Sequence, residues 1–94
     1  MRQLSDMFLS ALSKAQELRL QKNAMVDGEL EWVRYERDVM FRLVNAIRLK
    51  NDAPQATLFD VMKVENQAEG HVDYSRKFAL YCAELALEIE PWPA

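Results

Sequence analysis

Ninety-four residues, 50% of them hydrophobic, with 12 Lys and Arg against 15 Asp and Glu and a net charge of −3, describe one folded domain rather than a disordered chain. Two glycines, three prolines and one cysteine argue against a many-stranded sandwich and exclude a disulfide framework or a zinc site built on several thiolates. No stretch approaches the roughly 20 apolar residues of a membrane helix, and the N-terminal MRQLSDMFLSALSKAQ lacks the apolar run of a secretory signal, so a cytoplasmic protein is expected.

Gly28, Pro54, Gly70 and Pro91 cut the chain into four pieces. In the first, Leu4, Met7, Phe8, Ala11, Leu12, Ala15 and Leu18 repeat at three and four and fill an arc of roughly 140°, an amphipathic helix. The second predicts a helix from about Glu29 to Lys50, with Glu31–Arg34, Arg34–Asp38 and Asp38–Arg42 at helical spacing. Asn51-Asp52-Ala53-Pro54 ends it, because the residue before proline is pushed out of the helical region. Thr57-Leu58-Phe59-Asp60 is a loose capping box that opens a short helix to about Ala68, and Gly70 suits its C-terminal cap. A fourth helix starts near Asp73 and runs to about Glu90. The expected fold is all-α: one domain over residues 1–94, a compact bundle of four helices with antiparallel neighbours, followed by a Pro-Trp-Pro tail at 91–94.

Two helices carry more apolar surface than one stripe requires. In the second, Val33, Met40, Val44 and Ile47 cluster within roughly 60°, and Leu43, Trp32, Val39, Ala46 and Tyr35 widen that face while Phe41 lies beyond its other edge. In the fourth, Tyr74, Phe78, Tyr81, Cys82, Leu85 and Ile89 form one stripe. Leu80 and Leu87 form a second ridge on nearly the opposite side, with Ala79, Ala83 and Ala86 nearby. Either both helices are central and covered on two sides, or a ridge of each meets another chain. Small domains leave much surface exposed, which favours the second explanation, and two-fold contacts are the commonest, which favours a homodimer. Trp32, Tyr35, Val39, Phe41, Leu80, Leu87 and Trp92 are the candidate interface residues.

Glu36 projects from the apolar arc of the second helix. A carboxylate buried there must be satisfied across a helix contact or shift its pKa. Metal chemistry in a bundle calls for Glu-x-x-His pairs, and the single histidine, His71, follows Gly70 in a connection. Cys82 lies within an apolar stripe, where a thiol behaves as a small hydrophobe. No glycine-rich phosphate loop is present, and no cofactor or metal is expected.

Charge is split along the chain. Residues 1–50 carry nine basic against seven acidic groups, and residues 51–94 carry three against eight. The cations of the second helix are interleaved with acids, which argues against a nucleic-acid reader. Glu65, Glu69, Asp73, Glu84 and Glu88 could instead form an acidic face toward a basic partner. The expectation is a small non-enzymatic regulatory or adaptor protein working through protein contacts, by class analogous to the acidic inhibitors that phages encode. The alternatives are a small all-α hydrolase or lyase with a carboxylate site around Glu36, and a nucleic-acid-binding protein using the second helix.

Overall fold

Four helices follow one another: α1 (Arg2–Gln21), α2 (Gly28–Lys50), α3 (Leu58–Ala68) and α4 (Tyr74–Leu87). The computed structural model describes residues 2–21 and 28–87, with side chains at 3–18 and 34–87, and there is no strand among them. The all-α bundle expected from the sequence is the architecture, short third helix included. The side chain of Trp32, and residues 88–94 with Glu88, Ile89 and Trp92, lie outside the described residues.

Consecutive helices run antiparallel. At one end, Gln16 Nε2 of α1 donates to Glu36 Oε1 of α2 and to Ser75 Oγ of α4, each at 3.4 Å. Arg37 of α2 reaches Glu65 of α3 at the same end. At the other end, Asn45 and Arg48 of α2 hold the segment ahead of α3, and Arg48 also reaches Leu85 near the close of α4. Helices α2 and α4 therefore point the same way. Each packs against all three other helices, whereas α1 and α3 make no contact among the described residues.

Double coverage, the explanation not preferred from the sequence, accounts for the alanines of α4. On α4, Ala79, Ala83 and Ala86 are buried together with Phe78, Cys82 and Leu85. Alanines let a neighbouring helix approach closely, and α1 uses that room to seat Phe8 and Leu12 in the core with Met40, Val44, Val61 and Val64. Each of these large side chains contributes about 1.5–3 kcal/mol by leaving water. Met7, placed in the core stripe of α1 by its spacing, is instead 47% exposed. It sits at the rim of an arc wider than the core can cover, and Leu9 packs against the core instead.

The connections are set by local chemistry. Ala53 N–H donates to the Arg48 carbonyl at 2.8 Å and Asp52 N–H to that of Leu49 at 3.1 Å, the paired bonds of a Schellman motif. Asp52, at φ 56°, takes the left-handed position that glycine usually fills. The capping box forms in full: Asp60 N–H donates to Thr57 Oγ1 at 3.1 Å, and Thr57 N–H donates back to Asp60 Oδ2 at 2.9 Å. After α3, Glu69 at φ −62°, ψ 142° and Gly70 at φ 88° make a type II turn closed by His71 N–H on the Ala68 carbonyl at 3.3 Å. At the start of α4, the Asp73 carbonyl accepts from Lys77 N–H at 2.9 Å.

Candidate functional site

Three places concentrate chemistry, and two of them face inward. The first lies where α1, α2, α3 and α4 converge around Glu36. That carboxylate is 9% exposed, as its position in the apolar arc predicts, and accepts from the Gln16 amide. Beside it, Glu65 is 4% exposed and paired with Arg37 through Nε at 2.9 Å and Nη2 at 2.7 Å.

This corrects the placement of Glu65 on the acidic partner-facing surface. It stands four residues after Val61 and three before Ala68, both buried, so helical geometry turns it into the core. The guanidinium of Arg37 offsets its desolvation there. Burial pushes the hydroxyl of Tyr74 up in pKa, and the Glu65, Glu36 and Glu69 carboxylates push it further. Burial likewise raises the Cys82 thiol, with Glu65 adding to the shift. Both groups stay protonated at neutral pH, and a protonated buried thiol is a poor nucleophile. Among the described residues no group of three His, Cys, Asp or Glu side chains could hold a metal ion.

The second place is Arg48, which sequence reasoning counted only as one of the cations of the second helix. It is wholly buried. Its Nε donates to the Pro54 carbonyl and its Nη1 to the Leu85 carbonyl at 2.6 Å, tying α2, the α2–α3 connection and the last turn of α4 together. A cation at the carbonyl end of a helix is favoured by the helix dipole. Next to it, the Asn45 amide donates to the Ala56 carbonyl at 2.9 Å and accepts from Ala56 N–H at 2.7 Å. The signal was present in the spacing, since Met40, Val44 and Arg48 fall one turn apart on the buried face.

The third place is the outer surface. In the α3–α4 connection Glu69, His71, Val72 and Asp73 are all exposed, and Val72 has the accessibility of an isolated side chain, 102%. Of the other candidate acidic residues, Glu84 is half-buried on α4. Among the candidate interface residues, Tyr35 is 39% exposed and Val39 half-buried. Together they face Ala11, Lys14, Ala15 and Leu18 across a groove of about 250 Å³ between α1 and α2. Phe41 packs partly buried against the core. Leu80 is half-buried and Leu87 is 47% exposed on the outside of α4. The described members of the candidate interface are thus not gathered into one patch. The Asp38–Arg42 pair forms at 3.0 Å between side chains 48% and 78% exposed, where it is worth a few tenths of a kcal/mol. No helix among the described residues is long and apolar enough to cross a membrane. Compared with known proteins, the chain matches no family model, no curated sequence and no solved structure.

Proposed function

We propose that this chain is a small non-enzymatic regulatory or adaptor protein that acts by occupying a basic surface of a larger protein. The observation that carries the reading is the α3–α4 turn. Val72 stands fully exposed between the exposed carboxylates of Glu69 and Asp73, directly after the type II turn of residues 68–71 in which Gly70 takes the positive-φ position. An exposed apolar side chain supplies contact, and flanking acids supply steering and orientation. The same end of the bundle holds Glu36 and Glu65 beneath the surface, and the raised Tyr74 pKa, due first to burial, is pushed further by these carboxylates and Glu69.

The inner carboxylates themselves are closed in, Glu36 at 9% and Glu65 at 4% exposure, which favours binding over catalysis at this end. Affinity capture from a lysate of the source cells tests the proposal, with the wild type and a Glu69→Lys/Asp73→Lys variant as baits. A protein retained by the first, released by moderate salt and lost with the second supports it. Equal retention by both baits overturns it.

A further inference from the structure

Once α1, α2 and α3 have covered α4, a narrow outer strip of that helix remains. Along it stand Arg76, exposed, Leu80 and Glu84, both half-buried, and Leu87, 47% exposed. Arg76, Leu80 and Glu84 are each four residues apart, so they form one row along the helix, basic, apolar and acidic in turn. Arg76 and Glu84 are about 12 Å apart along the axis, too far to pair with each other, and neither has an ion-pair partner among the described residues. Toward α1 the row borders a cleft of about 430 Å³ whose lining is mixed, with Ser5, Asp6 and Arg76 beside Leu9, Ala79 and Leu80.

We infer that this strip is the contact between two copies of the chain, with α4 crossing the partner's α4 antiparallel about a two-fold axis at Leu80. The order of the row selects that occupant. Laid antiparallel on itself and centred on Leu80, it sets Arg76 against Glu84 of the second copy and Glu84 against the second Arg76, while the two Leu80 side chains meet on the axis. A parallel contact would set like charges together. In a two-fold contact each pairing occurs twice, so one complementary row supplies two ion pairs around an apolar centre. A foreign helix would need no such self-complementarity.

Sedimentation equilibrium on the purified chain, from micromolar to millimolar concentration, tests the inference. The wild type dimerises, and Arg76→Glu and Glu84→Arg each weaken the dimer by at least about tenfold, since each reversal sets two like-charge pairs across the axis. The double variant Arg76→Glu/Glu84→Arg restores the dissociation constant to near the wild-type value, because the pairs reform with signs exchanged. Both positions are exposed or half-buried, and circular dichroism verifies that each variant keeps its helix content. A wild type that stays monomeric overturns the inference. So does a dimer indifferent to the single reversals, or a double variant no better than either single one.

Discussion

Replacing Arg48 removes the clamp that joins α2, the α2–α3 connection and the end of α4. The side chain is fully buried and donates at least to the Pro54 and Leu85 carbonyls. A hydrogen bond from a charged donor contributes about 1.5–3 kcal/mol net, and a buried carbonyl left without its donor costs about 1–3 kcal/mol. Against these stands the desolvation of the guanidinium, several kcal/mol, which the wild type bears and an apolar variant does not. Arg48→Met keeps most of the stem volume and leaves the two carbonyls unmatched, for a net loss of about 2 kcal/mol. Arg48→Ala also empties the space of the stem, about 0.8 kcal/mol per methylene, and loses about 4 kcal/mol. A domain of this length has on the order of 5–14 kcal/mol in total, so the alanine variant is near the limit of folding. Guanidinium and thermal unfolding followed by far-UV circular dichroism measure both variants. The methionine variant is expected to lower the thermal midpoint by about 8–16 °C. If it proves as stable as the wild type or more so, the desolvation term outweighs the bonds, and Arg48 is not a stabilising clamp.

Three further outcomes follow from local geometry and burial. Asp52→Gly is expected to gain about 1 kcal/mol, because Asp52 sits at φ 56° at the carbonyl end of α2. Gly70→Ala is expected to lose about 1 kcal/mol from its φ of 88°, although the added methyl meets nothing within 4 Å. Opposite signs in denaturant titrations test the pair. Thr57→Ala removes the acceptor for Asp60 N–H and is expected to cost about 1 kcal/mol, with hydrogen exchange rising first in the opening turn of α3. Stability should also fall in alkali. Cys82 and Tyr74 hold their protons more tightly folded than unfolded, where their ordinary values are 9.0 and 10.0. Their contribution is thus complete below pH 9 and lost as pH rises, at a slope approaching about 1.4 kcal/mol per pH unit for the buried Cys82 and less for the half-buried Tyr74, which solvent screens. Tyr74→Phe should flatten the fall above pH 10, where only the tyrosine's share is removed. A wild-type profile flat to pH 11 contradicts the burial of Cys82 and the partial burial of Tyr74.

What could be read from the chain was mostly what local spacing decides. The capping box is legible because Thr57 and Asp60 are three residues apart and need no distant partner. Glu36 is legible because it interrupts an apolar arc. Glu65 and Arg48 also lie on buried faces, but charge suggests solvent until a partner is known. Those partners, Arg37 at a separation of 28 residues and the Leu85 carbonyl at 37, exist only in the folded bundle. On α4 the spacing shows a second apolar side, but it does not show that Ala79, Ala83 and Ala86 are covered within the chain while Leu87 stays exposed. Their burial depends on α2 and α4 each touching three helices, a topological fact that periodicity along one helix does not contain.

The central claim, that the chain works by binding through its acidic turn and not by chemistry at its buried carboxylate, is tested most directly by one comparison. Partner retention from the source-cell lysate is quantified side by side for the wild type, Glu69→Lys/Asp73→Lys and Glu36→Gln, each verified as folded. Retention is expected to be abolished by the charge reversals at the turn and unchanged by Glu36→Gln, whose amide still meets Gln16 across the helix contact. Retention that survives the reversals contradicts the claim. So does a Glu36→Gln variant that keeps its stability yet loses its partner.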